Sequence, residues 1–264
     1  MTVQLTLQGG LIYAAMVADL AAFSLALLGG RRLGRALFGA GFLIAVAAVV
    51  YRGVQAGHVP LRNLFDVFLV LGMLMYPLSL GARRLAGIGG EPADMVLAAV
   101  LLFPAGFVLD GQPAPLPPVL RSPYFVPHVL AYMLAYAILA KASVQAAMAL
   151  ARGPGGRSGS AVCPHGDAAH TLACLAFPAL TAGLVLGALW GKQAWGDWWN
   201  WDPKELSSLA AWLVFVAALH VRPALGGRGG RLEAGLILLG MALNVLTLIW
   251  VNLSTALAGL HSYA

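Results

Sequence analysis

Apolar residues fall in eight long runs along the chain, roughly 10–28, 36–52, 64–81, 93–109, 128–150, 168–190, 205–221 and 233–256. Runs of this length with few charges approach what a bilayer crossing needs, about 20 residues. Lipid offers no partner to an unpaired backbone N–H or C=O, so each run is expected to be a helix. The pattern predicts an all-α, polytopic transmembrane helix bundle of about eight spans. Pro77, Pro104 and Pro178 lie inside runs, which membrane helices tolerate better than soluble ones. The first run follows no basic region and precedes no small-residue cleavage site, so it reads as a retained span.

The polar segments between the runs set the topology. An even number of spans puts both termini on one side. Alternate segments then carry Arg31, Arg32, Arg35, Arg83, Arg84, Arg152, Arg157, Arg222, Arg228 and Arg231 on one face, against Arg52, Arg62, Arg121, Lys192 and Lys204 on the other. Ten against five places the first set in the cytoplasm and both termini outside. Residues 151–170, rich in Gly and Ser, read as a flexible cytoplasmic loop. The proline-rich outer segment Asp110–Pro127 reads as an extended cover. No internal repeat is visible, and residues 1–264 form a single membrane domain in this reading.

Composition sharpens the picture. The 264 residues are 60% hydrophobic and 10% charged, with a mean hydropathy of +0.83; a soluble domain carries roughly 25% charged residues. The net charge of +6 sits in short clusters between spans, so it reads as a topology signal, and nucleic acid is not an expected partner. Neither cysteine, Cys163 or Cys174, belongs to a Cys-x-x-Cys or Cys-x-x-Cys-His sequence, which leaves no redox pair and no attachment site for a c-type haem on this chain. No Gly-rich phosphate loop or nucleophile elbow is present, so nucleotide hydrolysis and serine chemistry have no support.

The most informative segment is Trp190–Glu205, WGKQAWGDWWNWDPKE, which holds five of the seven tryptophans. Tryptophans favour membrane interfaces as an aromatic belt, but a belt spreads over many helices and both faces. Trp190, Trp195, Trp198, Trp199 and Trp201 in one outer segment suggest instead a platform for a large flat ligand. Asp202, Pro203 and Glu205 match a helix start, with Asp202 as cap, Pro203 in the first turn and Glu205 closing a capping box.

Two histidines share the platform's face. His128 opens the fifth span, and His261 follows the eighth. A pair of neutral imidazoles can hold haem iron from both sides, although each is also readable as an isolated interfacial histidine. His220 lies fifteen residues beyond Glu205, about 22 Å along a helix, and belongs to a different depth: a second haem site or the cytoplasmic interface. Lys141, about 20 Å past His128 by the same rise, either serves a functional role or snorkels. His58 is a further outer ligand or a loop histidine. Asp66 caps or starts the third span. His165, His170 and Cys163 fit no familiar metal-ligand spacing.

The segments WGDWWNWDPKE, LHVR (Leu219–Arg222), GLHSY (Gly259–Tyr263) and GHVPLRNLFD (Gly57–Asp66) resemble the CcsA/ResC family of cytochrome c biogenesis proteins. The resemblance is strongest over residues 187–264. It implies that Trp195, Trp198, Trp199, Trp201 and Asp202 bind haem on the outer face as the family's tryptophan-rich WWD loop. His128 and His261 match that family's two outer axial ligands, and His220 its transmembrane histidine. His58 falls in the matched GHVP segment. The cargo would be haem b, held non-covalently. A separate CcsB/ResB-type membrane subunit would be the partner and would supply the second ligand of the inner haem.

The resemblance further implies a multi-pass protein of a bacterial inner (cytoplasmic) membrane that presents haem on the periplasmic side. There two apocytochrome c thiols would add to the haem vinyl groups, making the chain the haem-binding subunit of a cytochrome c synthase complex. Two other classes stay open. A b-type electron-transfer subunit needs paired histidines at matched depth within the bilayer, and only His220 lies clearly inside. A haem exporter would release its cargo without covalent attachment.

Overall fold

Each of the eight apolar runs lies largely on one helix. A computed structural model of the protein describes residues 4–152, 164–225 and 228–250. Among them are eight α-helices and no strand. The chain divides into two compact units, Met1–Arg121 and Ser122–Ala264.

The first unit holds α1 (Leu7–Leu27), α2 (Arg31–Ala56), α3 (Leu64–Ala86), α4 (Glu91–Phe107) and a short 3-10 turn, Pro118–Leu120. Local chemistry sets the helix ends. The Thr6 side chain accepts from the Gly9 N–H at the start of α1. Asn63 accepts from the Asp66 N–H at the start of α3. Gly57 and Gly87 end α2 and α3 at φ 69° and 66°, a left-handed conformation that glycine adopts without penalty. Thus Asn63 caps α3, and Asp66 sits inside its first turn.

Small residues let these helices approach closely. A Cβ on Gly72 would lie 2.6 Å from the Leu102 side chain, and one on Gly34 2.8 Å from the Ala22 carbonyl. Such interfaces suit helices whose association gains nothing from expelling water. Large apolar side chains meanwhile point outward; Leu43, Val50 and Val54 of α2 are 65%, 59% and 77% exposed. A soluble protein does not present such a face, and lipid is its natural neighbour.

Arg52 departs from the outer-loop position that its sequence context suggested. It lies within α2, 2% exposed. Its Nε donates to Asp66 Oδ1 at 2.8 Å, and its guanidinium sits 4.9 Å from the Phe65 ring centroid. It also donates to the carbonyl of Gly111, while Asp66 Oδ2 accepts the Arg62 N–H at 2.9 Å. The buried pair therefore ties the proline-rich segment to the α2–α3 turn.

The second unit holds α5 (Phe125–Arg152), α6 (Pro164–Trp195), α7 (Pro203–Leu225) and α8 (Gly230–Val245), the last continuing into a π-helical turn, Leu246–Trp250. Among the described residues, seven helical segments are long and apolar enough to cross a membrane. The eighth helix, α4, has only 17 residues and carries Glu91 and Asp94 in its first turn, so it spans about 25 Å against a hydrocarbon layer of roughly 30 Å.

Two segments differ from expectation. Residues 164–170 were expected in a flexible loop, but α6 already begins at Pro164 and includes His165 and His170. The tryptophan-rich segment was expected as loop from Trp190, but α6 runs on through Trp195, leaving Gly196–Asp202 as the non-helical connection.

Candidate functional site

The site is built in the second unit, from the start of α5, the end of α6 and the connection to α7. Two glycines one turn apart on α6, Gly183 and Gly187, leave a groove. The Tyr132 and His128 rings of α5, also one turn apart, fill it. A Cβ on Gly183 would lie 2.9 Å from the Tyr132 ring, and one on Gly187 2.7 Å from His128 Cε1. His128 Nδ1 lies 2.8 Å from the Gly183 carbonyl. A carbonyl can only accept, so Nδ1 carries the proton, and the neutral ring keeps its basic lone pair on Nε2. This is the arrangement by which an outer partner fixes the tautomer and orientation of a metal-binding histidine.

Trp190 completes the seat. It is 2% exposed and stacks on His128 at 5.9 Å between ring centroids and 20° between planes. Phe125 and Trp195 pack against it at 5.9 and 4.8 Å. Trp190 is thus a wall that holds the histidine, not part of an exposed platform.

The connection that follows is tightly folded. Gly196 ends α6 at φ 90°, its N–H donating to the Lys192 carbonyl at 3.1 Å. At the other end Asp202 Oδ1 accepts the Lys204 N–H at 2.8 Å. Glu205 Oε2 reaches back to the N–H groups of Asp202, at 3.2 Å, and Asn200, at 2.8 Å. The Glu205 half of the capping box read from the sequence is present, with one extra bond to the loop, and Asp202 caps through the Lys204 N–H instead of the Glu205 N–H. Between these ties Trp201 adopts φ 57°, a conformation that costs a non-glycine residue roughly 1–2 kcal/mol.

The tie points decide what the tryptophans present. Trp198 and Trp201 are 55% and 66% exposed. Trp199 is half-buried and meets Trp201 edge-on at 6.1 Å. Trp199 Nε1 and Asn200 Nδ2 are buried donors that find no acceptor among the described residues. The loop therefore combines open aromatic surface, two unsatisfied N–H donors and, in the same unit, an oriented imidazole.

The remaining histidines separate. His220 is exposed on α7, and its Nδ1 donates to the Val216 carbonyl at 2.7 Å, which again puts the lone pair on Nε2. His58 belongs to the first unit, where its ring nitrogens lie 2.9 Å from the Val59 carbonyl and 3.2 Å from the Ala114 carbonyl; it fastens the proline-rich segment. His165 Nδ1 lies 2.6 Å from Gln145 Oε1. His170 Nδ1 lies 2.5 Å from Glu233 Oε1, Glu233 also accepts from Arg222, and Arg222 Nη1 reaches Asp167 at 2.6 Å. These side chains clamp α6, α7 and α8 together. Lys141 is 1% exposed, so it does not snorkel. His261 and Cys163 lie outside the described residues.

The glycine groove is not apparent from the residues read singly. Its signal was present as Gly183-x-x-x-Gly187 within an apolar run, a spacing that marks close helix approach.

The fold and site define a multi-span helical membrane protein with an ordered aromatic loop between two helices. Residues 36–258 match the family described as Cytochrome C assembly protein. The chain belongs to that family. It is 30% identical over 273 residues to a Synechococcus sp. (strain WH7803) protein named cytochrome c biogenesis protein CcsA, covering 87% of this chain and 84% of the relative. It is 29% identical over 242 residues to the CcsA of Chlamydomonas reinhardtii, covering 87% and 67%. Among solved structures it resembles Cytochrome c Heme Lyase CcmF, with TM-score 0.68 and 23% identity. That match covers 94% of this chain but spans less than half of that structure's length, 47%, and shows a shared fold.

Proposed function

We propose that this chain holds haem against the Trp195–Asp202 loop and presents it for covalent attachment to apocytochrome c. The observation that carries this reading is His128. Its tautomer is set by the Gly183 carbonyl at 2.8 Å, and its ring is packed against Trp190, so its basic lone pair is on Nε2, the kind of nitrogen that ligates iron.

The residues present suit haem as cargo. Trp198 and Trp201 offer exposed aromatic faces to a macrocycle. The N–H groups of Trp199 and Asn200, without acceptors among the described residues, suit propionate carboxylates. His261, through the family resemblance, is the second outer ligand. His220, exposed on α7 with its lone pair on Nε2, is the ligand of an inner haem whose other ligand comes from a separate CcsB/ResB-type subunit. His58 has a structural role on this reading, because both its nitrogens face carbonyls. The cargo is haem b, held non-covalently, in a bacterial inner membrane with the loop and both termini on the outer face, a topology in which the 17-residue α4 makes the eighth crossing where the bilayer thins around it. The bundle acts as one membrane domain.

This chain's residues orient the haem and keep its iron ligated. The bond-forming groups come from the two other molecules. Each apocytochrome thiol adds across a haem vinyl group, its sulfur bonding one vinyl carbon and a proton reaching the other. The substrate's own histidine then replaces one outer ligand.

The test is reconstitution with the partner subunit and an apocytochrome carrying Cys-x-x-Cys-His. Haem that stays on the apocytochrome after denaturing electrophoresis, and disappears in a Trp198→Ala/Trp201→Ala variant, is the expected result. Free haem released without attachment would instead make the chain an exporter. Haem reduction by quinol with no dependence on apocytochrome would make it an electron-transfer subunit.

A further inference from the structure

The first unit carries a basic cavity that the haem reading does not use. It lies where α2 begins, α3 ends and α4 begins, with a volume of about 340 Å³, within the range typical of ligand sites. Arg32, Arg35, Arg83 and Arg84 line it, with Glu91 as the one carboxylate in the lining.

The charges are far from cancelled. Glu91 pairs with Arg83 at 3.1 Å. Arg35 Nε donates to the Arg31 carbonyl at 3.2 Å. Arg32 and Arg84 have no carboxylate partner among the described residues. Asp94 approaches from α4, but it lies behind Ser79, whose hydroxyl donates to it at 2.5 Å. Two guanidinium groups therefore remain available at the mouth.

A second feature points the same way. The N-cap of α2 is Gly30, which offers no side-chain cap, and the first turn holds no acidic residue. Its leading N–H groups are left for an external acceptor, the condition under which a helix start binds an oxyanion. Arg32 and Arg35 bring that first turn to the cavity wall.

The floor is apolar and rigid. Tyr76 packs edge-on against Phe38 at 5.2 Å and stacks on Phe42 at 5.3 Å. Beyond it α2 exposes Leu43, about 17 Å along the helix from Arg32 and so on an apolar track within reach of an acyl chain, on a helix long and apolar enough to span the bilayer. A soluble anion would use the arginines and leave the track unused. A molecule with a phosphate head and acyl tails uses both.

We infer that this cavity binds the headgroup of an anionic phospholipid, its phosphodiester between Arg32, Arg84 and the start of α2, its acyl chains along the outer face of α2. Basic pockets between membrane helices recognise such headgroups. Bidentate guanidinium–phosphate pairing supplies the geometry.

The experiment is native mass spectrometry of the full chain taken from nanodiscs of phosphatidylcholine alone or mixed with phosphatidylglycerol. The wild type retains phosphatidylglycerol in preference to phosphatidylcholine. Arg32→Gln/Arg84→Gln, which removes two exposed side chains without a carboxylate partner, binds it roughly thirtyfold more weakly, the scale expected of two basic residues near an anionic headgroup. Arg228→Gln/Arg231→Gln removes the same charge elsewhere and behaves as wild type. Circular dichroism in phosphatidylcholine nanodiscs confirms that both variants fold. Equal retention by the first pair and wild type, an equal loss in the second pair, or displacement of the lipid by inorganic phosphate overturns the proposal.

Discussion

Glu205→Ala is the sharpest probe of how the tryptophan loop is held. Glu205 Oε2 accepts from the N–H groups of Asn200 and Asp202 at 2.8 and 3.2 Å. Trp201, between those two donors, is kept at φ 57° against its own preference. A hydrogen bond to a charged group contributes about 1.5–3 kcal/mol when buried. This carboxylate is only part-buried, so solvent reduces the total for both bonds to about 1–3 kcal/mol. Its loss also frees Trp201 to relax. A change of 1–3 kcal/mol in local opening corresponds to roughly a 5- to 150-fold change in the opening equilibrium. Hydrogen exchange reads that equilibrium at individual amides. Peptides covering Gly196–Asp202 should exchange faster by that factor in Glu205→Ala, while the α5–α6 groove around Gly183 stays unchanged. Glu205→Gln keeps one acceptor oxygen and should fall between. Unchanged exchange in Glu205→Ala, or equal acceleration across α6 and α7, refutes the assignment of Glu205 as a local tie.

Three further outcomes follow from packing and charge. Gly187→Ala places a Cβ 2.7 Å from His128 Cε1 and should destabilise by about 1–3 kcal/mol through overpacking, whereas Gly81→Ala, with open space around it, should be neutral in the same thermal melt. Arg52→Met leaves Asp66 buried without its cation and should cost about 3–5 kcal/mol, seen as a lowered unfolding midpoint in detergent; Arg52→Met/Asp66→Leu should recover part of the loss. Glu233→Gln weakens the clamp to Arg222 and His170 and should loosen the α6–α8 end, read as faster exchange around His170, with the loop at Gly196–Asp202 unaffected.

The spans were legible because lipid allows few structures: a long apolar run has to be a helix. The end of the tryptophan loop was legible too, since Asp202, Pro203 and Glu205 write a helix start in local chemistry. Its beginning was not. Nothing local separates the helical WGKQAW from the loop GDWWN that follows, and the boundary falls at Gly196 because that glycine takes φ 90°. Trp190 therefore reads as platform when it is a buried wall. The partners of Arg52 and Glu233 were also hidden, because each ion pair joins side chains from different helices and depends on how those helices pack. Gly183 and Gly187 were readable in principle. Their spacing signalled a close helix contact, but only the packing shows that His128 fills it.

Whether an oriented His128 beside the tryptophan loop ligates haem, as proposed, is tested most directly by the absorption spectrum of the detergent-purified protein co-expressed with a CcsB/ResB-type subunit. A low-spin, bis-histidine haem spectrum is expected in the wild type. His128→Ala and His261→Ala should each lose it or convert it to a form with one axial ligand changed, and His220→Ala should alter a separate haem population. A wild type that carries no haem beside its partner, or one whose spectrum is unchanged in His128→Ala, would contradict the account.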